Sequence, residues 1–330
     1  MARDADTKRA RLPVRPHHRP SAGSGAIAAP ALPSATVSQV LNGSTELAAL
    51  RAEVAPSTYR APVLKFPALP RRELVARLCA ASPESPVVVT APAGYGKTTT
   101  MMLWNEVDQR PFAWAHLDRL DNDPVHLVRH LALTFDRLGA IDAEAAAVLT
   151  MPGADPLLDM LPALLRALED CDSLVLVLDD FHVIRSPLPL ECAGGILRGL
   201  PATCHVAIVG RSDPPPAVLE GAIRTDSLVL STADLEISDA ETALMLSERG
   251  VDPDNDNVAQ LVDQIEGWPA GLHLVSLMAE SRDLATVSTE QSAHKRLLFE
   301  YLVAEVLEAQ EDPTAQFLRR SAVLDRMNPG

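Results

Sequence analysis

The sequence predicts an α/β fold, a three-layer sandwich around a mostly parallel sheet, followed by an all-helical subdomain. Three observations carry this. Short apolar, β-branched runs alternate with helix-compatible segments from about residue 61 to 230, the order that parallel-sheet architectures require. One run, Leu174-Val175-Leu176-Val177-Leu178, is apolar at every position, as a strand must be when helices cover both of its faces. From about Ser231 the strand-like runs stop and only helical periodicity continues.

The chain of 330 residues can bury a large core, and its 47% hydrophobic and 22% charged content is that of a globular protein. Charge is divided unevenly. Residues 1–30 hold six Lys or Arg against two Asp, and the remainder carries 23 basic against 42 acidic side chains. So acidic a body argues against broad contact with nucleic-acid phosphates. Cys79, Cys171, Cys192 and Cys204 are scattered, without metal-ligand spacing, and read as reduced thiols of a cytoplasmic protein. No apolar run approaches the length of a membrane span, so no membrane partner is expected.

Taken in order, residues 1–60 mix Arg, Pro, Ala, Ser and Gly and read as a disordered basic extension, with room for one short helix between Ser38 and Val54. Order is expected from Ala61. A helical face at Leu74–Leu78 precedes a strand at Val87–Thr90. Phe112–Leu117 is a second strand, and the polar turn Asp118–Pro124 caps a helix reaching Leu138. Another helix spans Leu157–Leu168, the apolar strand spans 173–178, a further strand spans His205–Gly210, and Leu228–Leu230 is the last. Beyond these, Ser238-Asp239-Ala240-Glu241 is a capping box. Helices are expected at 258–265 and 271–279, broken by Gly267-Trp268-Pro269, and again at 299–307 and 315–323. Four units follow: the extension 1–60, an α/β domain 61–230, a helical lid 231–290, and a segment 291–330.

The first strand opens into Ala91-Pro92-Ala93-Gly94-Tyr95-Gly96-Lys97-Thr98, followed by the helix-compatible run from Thr99 to Trp104. This is the strand, small-residue loop and helix order of a phosphate-binding loop: small residues let backbone N–H groups close around a polyphosphate, and the helix N-terminus adds donors and positive charge. Lys97 would reach the β- and γ-phosphates, and the Thr98 hydroxyl would ligate Mg²⁺. Ala91 stands where the strict pattern has Gly, a tolerated change between the two smallest residues. Asp179 and Asp180 end the apolar strand on the edge where such sheets place ligands. Asp179 would hold Mg²⁺ and Asp180 would orient or deprotonate the attacking water, the plain alternative being an acidic loop start. Arg211 ends the next strand and would sense the γ-phosphate; pairing with Asp213 accounts for it equally well.

Further residues carry a resemblance. Leu-Asp…Asp-Asn-Asp-Pro at 117–124, Val-Leu-Asp-Asp-Phe-His at 177–182, Arg-Ser-Asp-Pro-Pro at 211–215 and Glu-Gly-Trp-Pro-Ala-Gly-Leu at 266–272 follow the loop in order. Tyr-Leu-Val-Ala-Glu-Val-Leu at 301–307 and Phe-Leu-Arg-Arg-Ser-Ala-Val-Leu-Asp-Arg-Met at 317–327 complete the set. Together they resemble the large MalT-like, LuxR-type transcriptional regulators, STAND-class P-loop ATPases, in their N-terminal portion. The resemblance implies strand order 5-1-4-3-2 and an ATP/ADP switch with slow hydrolysis. In that switch Arg71 approaches the adenine and Pro269 packs on the base from the lid, while Trp268 reads as core packing. It also implies that residues 291–330 begin a winged-helix-like segment, and that the sensor and DNA-reading parts lie outside this chain. Specific DNA binding is therefore not expected of the chain itself, and its protein partners would be a second copy or other regulator subunits. The rival readings are a P-loop kinase acting on a small molecule, a nucleotide-locked module without hydrolysis, and an inactive remnant.

Overall fold

The computed structural model describes residues 48, 50–51, 54–64, 68–220, 222, 227–252 and 256–280. The basic extension up to residue 47, most of the helix expected at 38–54, both helices expected after residue 290 and the segment 291–330 lie outside the described residues.

Among the described residues, five strands form one parallel sheet: β1 (Val87–Thr90), β2 (Phe112–His116), β3 (Leu174–Asp179), β4 (Cys204–Gly210) and β5 (Val229–Leu230). The order is β2-β3-β4-β1-β5, as the resemblance implied. Register follows side-chain alternation. Leu174, Leu176 and Leu178 of β3 face one apolar cluster, and Val175 and Val177 face another. The first cluster is closed by α3 (Pro124–Asp136), α4 (Ala143–Thr150), α5 (Leu161–Ala167) and α6 (Pro187–Gly199), the second by α1 (Arg72–Ala80) and α2 (Lys97–Val107). All of β3 is buried, and each fully buried Leu or Val contributes about 1.5–3 kcal/mol, so this strand anchors the three layers.

Local signals act as expected at several ends. Asp123 caps α3 by accepting from the His126 N–H, with Pro124 in the first turn. The stretch expected to be helical from Leu157 is a π-type turn, Pro156–Met160, running into α5; the Asp155 side chain accepts from the amides of Leu157 and Leu158 at its start. β3 extends one residue further than its apolar run, so Asp179 is the last paired residue, in register with His116 of β2.

After a short turn of helix, α7 (Pro216–Leu219), and β5, the chain is helical: α8 (Thr232–Leu235), α9 (Asp239–Glu248), α10 (Asp256–Ile265) and α11 (Pro269–Glu280). The capping box at Ser238 and Glu241 is present. Leu246, Val251, Val258 and Val275 form a small core shared by these last helices. The segment is tied to the α/β layers at Arg71. Its guanidinium donates to the carbonyls of Asp234, Leu235 and Glu236 at 2.8–3.1 Å, and its Nε lies 3.0 Å from the Glu241 carboxylate.

Candidate nucleotide site

β1 hands the chain to the loop Ala91–Gly96, and α2 begins at Lys97. Two glycines make the turn. Gly94 and Gly96 have φ of 78° and 75°, a region that costs a side chain about 1–2 kcal/mol. A Cβ on Gly96 would meet nothing, so the backbone alone requires glycine there. Ala91 has no such need: among the described residues only Asp180 and Glu266 combine a side chain with positive φ. Ala91 is buried, and its N–H donates to the carbonyl of Gly210 on β4. The departure from the strict motif is therefore conformationally neutral.

Lys97 is 7% exposed, and its ammonium donates to the carbonyls of Ala91 and Pro92 at 2.8 and 2.9 Å. A buried ammonium on neutral carbonyls brings to the loop a positive charge that these contacts do not compensate. Beside it, the Thr98 hydroxyl donates to the Asp179 carboxylate, 2.9 Å from Oδ2 and 3.2 Å from Oδ1. Residues 81 positions apart thus meet because β3 lies one strand away from β1 across β4. The hydroxyl and the carboxylate, both expected at Mg²⁺, are hydrogen-bonded to each other, and two such oxygen groups are of the kind that suits a hard divalent cation.

Asp180 follows in the left-handed region, φ 56° and ψ 34°, which Asp tolerates better than most residues. Its N–H donates to Asp179 Oδ1 at 3.1 Å, and its carboxylate stays partly exposed. Two histidines that the motif reading did not single out frame the pair. His116, at the end of β2, puts Nδ1 3.7 Å from Asp179 and Nε2 3.8 Å from Asp180. Its pKa is raised, chiefly by Asp179, with Asp180 and Asp118 adding to the effect against burial. His182 lies 3.7 Å from Asp180 Oδ1. Its pKa is lowered, first by burial and then by the charges of Arg211, Lys97 and Arg185, while Asp180 opposes. Arg211 follows Gly210 on the same sheet edge, its positive charge felt at His182. Position in register was the only signal that could have found His116.

A cavity of about 440 Å³ opens beside the loop, lined by Gly94, Tyr95, Gly96, Thr99 and Thr100, by Val63, Leu64 and Leu69 ahead of α1, and by Met245, Pro269, Ala270 and His273 from the helical segment. Its size suits a nucleoside. Pro269 and Arg71 both line it, though the Arg71 guanidinium is engaged with the 234–236 backbone and Glu241. Trp268 departs from the core-packing expectation: its indole N–H donates to the Ala93 carbonyl at 3.2 Å, against the loop itself. Nothing in the spacing of residues 93 and 268 announces that contact.

No family model matches the chain. Over 283 residues it is 29% identical to the HTH-type transcriptional regulator MalT of Serratia proteamaculans (strain 568), covering 83% of this chain and 31% of that protein. The MalT of Klebsiella pneumoniae (strain 342) is 28% identical over the same shares, and that of Vibrio campbellii is 28% identical over 73% of this chain and 27% of its own length. The chain resembles the MalT regulators. It spans less than a third of the length of these MalT relatives. A solved structure of the Aeropyrum pernix Orc1 protein in complex with DNA matches with a TM-score of 0.46 and 14% identity, over 82% of this chain and 75% of that one. Among the described residues no helix is long and apolar enough to cross a membrane.

Proposed function

We propose that the chain binds ATP and ADP with Mg²⁺ and acts as a slowly hydrolysing nucleotide switch within a cytoplasmic transcriptional regulator of the MalT type. The observation that carries this reading is the Thr98–Asp179 pair beneath a loop with a buried lysine. A cation-binding hydroxyl and carboxylate already stand together where an ammonium and a helix N-terminus favour anions.

Magnesium nucleotide, when bound, supplies the phosphoryl group and the divalent charge. The rest is the work of this chain's residues. Backbone N–H groups from Ala93 to Thr99 and the Lys97 ammonium would hold the phosphates. Thr98 and Asp179 would hold Mg²⁺, directly or through water. Asp180 would orient the attacking water and accept its proton on the carboxylate. Arg211 would bind outer phosphate oxygens through its planar fork. The base would occupy the apolar cavity against Pro269, with Arg71 on its lining, and the helical lid would respond through the different affinities of ATP and ADP for its positions.

Calorimetric titration of the full chain with Mg-ATP and Mg-ADP, beside Lys97→Ala, tests the binding claim. We expect the variant to bind at least about a hundredfold more weakly, since two or more charge-assisted hydrogen bonds are lost. Equal affinity would remove the site. Single-turnover hydrolysis tests the rest: it should be slow in the parent and abolished in Asp180→Asn.

A further inference from the structure

The lid touches the phosphate loop at two consecutive peptides. Trp268 Nε1–H donates to the carbonyl of Ala93 at 3.2 Å, and the backbone N–H of Ala270 donates to the carbonyl of Gly94 at 3.0 Å. All described peptide bonds are trans, and in a planar trans peptide the carbonyl and the N–H point in opposite directions. Fixing the carbonyls of Ala93 and Gly94 on the lid therefore fixes the N–H groups of Gly94 and Tyr95, which share those peptides, facing away from it. These are loop amides of the kind that receive phosphate oxygens.

The contact is close as well as directional. A Cβ on Gly94 would lie 2.6 Å from Trp268 Nε1 and 2.8 Å from its Cζ2, so the indole rests on bare backbone and no side chain fits between. The Gly267-Trp268-Pro269 turn is itself anchored on its other side. The Ile237 N–H donates to the Gly267 carbonyl at 2.9 Å, and Arg71 grips the three preceding carbonyls of residues 234–236. The turn is thus held between the entry to the lid and the phosphate loop.

We infer that Trp268 is a positioning residue for phosphate binding: from the lid, its indole N–H orients the loop peptides that receive the polyphosphate. This rests on the nucleotide reading above and deepens it. The loop and lid are one binding unit, so polyphosphate affinity depends on a residue that belongs to the lid, and lid position is coupled to loop occupancy even when no base is present. Trp268 also reports on itself. It is the partly exposed indole of the three in the chain, Trp104 and Trp114 being fully buried.

The test uses the full chain with inorganic tripolyphosphate, which has no base, and ATP, each with Mg²⁺. Trp268→Phe keeps a ring and removes the donor. It should weaken tripolyphosphate and ATP by the same factor, about tenfold for one hydrogen bond to a constrained carbonyl, and should abolish the change in tryptophan emission that tripolyphosphate causes in the parent. Should the variant not fold, hydrogen exchange of the parent decides: tripolyphosphate should slow exchange of the Ala270 amide along with those of residues 93–98. A Trp268→Phe protein within twofold of the parent for tripolyphosphate, or an Ala270 amide indifferent to it, overturns the inference while Lys97-dependent ATP binding survives. Absence of Lys97-dependent binding in the parent overturns the nucleotide reading and this inference together.

Discussion

The two edges of the sheet both gather charge, and they use it differently. Where the strands begin, Asp108, Arg110 and Trp104 satisfy one another, with His205 beside them. Arg110 donates to both Asp108 oxygens at 2.7 and 3.0 Å, the Trp104 indole donates to Asp108 at 2.9 Å, and Arg110 Nη1 lies 3.4 Å from His205 Nδ1. Where the strands end, Thr98, Asp179, Asp180, His116 and His182 are grouped more loosely, with histidine–carboxylate distances of 3.7–3.8 Å. In the first group the carboxylate and guanidinium consume one another's hydrogen bonds, which closes it, although His205 Nε2 is buried without a hydrogen-bond partner. In the second the histidine nitrogens stand 3.7–3.8 Å from the carboxylates, which leaves it open. Charge on a sheet edge marks a site only where its hydrogen-bonding capacity is not consumed internally.

Substitutions should separate the two edges. At the open one, Asp179→Asn should remove the gain in ATP affinity that Mg²⁺ provides, roughly a hundredfold, with a melting temperature close to the parent's because Asn can still accept from Thr98 and from the Asp180 N–H. Unfolding of this variant would break the distinction. At the closed edge, Asp108→Ala strands Arg110 and the Trp104 indole and should cost about 3–4 kcal/mol of stability while leaving ATP affinity within twofold, as denaturant titration and calorimetry would show. A third effect is in the pH profile. Burial, helped by Arg110, lowers the His205 pKa to about 4. Because the unfolded chain takes up this proton near pH 6.5 and the folded one does not, stability should be fully present above that pH and fall between about 6.5 and 4, by roughly 3 kcal/mol at most. His205→Leu should flatten that limb. Below it, Asp108, held at about 2 chiefly by its hydrogen bond with Arg110, contributes stability that is lost as pH falls from its unfolded value of 3.8 toward 2.

Much of the α/β layer was legible because its signals are local. The β-branched run, the loop glycines and the fully apolar strand each state their conformation in a few adjacent residues, and the five strands lie where the runs were. Helix α6 was not legible. No element is expected there from the sequence, and Pro187, Pro189, Gly194, Gly195 and Gly199 are poor helix formers, yet the prolines sit in the first turn and the glycines serve packing. A Cβ on Gly195 would meet Leu161 and one on Gly199 would meet Leu165, so a side chain at either position requires the leucine of α5 to shift. Such residues encode a neighbour rather than a propensity, and no neighbour is visible in a linear reading. The same limit hid part of the site. Lys97, Thr98 and Asp179 were marked by motif. His116 and Trp268 reach the site through strand register and lid docking, which join positions far apart in the chain.

Lys97 and Thr98 bring one further consequence. The ammonium is engaged by two carbonyls and the hydroxyl by a carboxylate. On the nucleotide reading proposed above, arrival of a polyphosphate and its cation would therefore be an exchange reaction, in which each group trades one partner for another. The net driving force would be the difference between two satisfied states, so weak anions such as a single phosphate would gain little by displacing these partners. A ligand that offers the anion and the cation together would displace both sets at once, and on that reading the site would select by this requirement before any base is read.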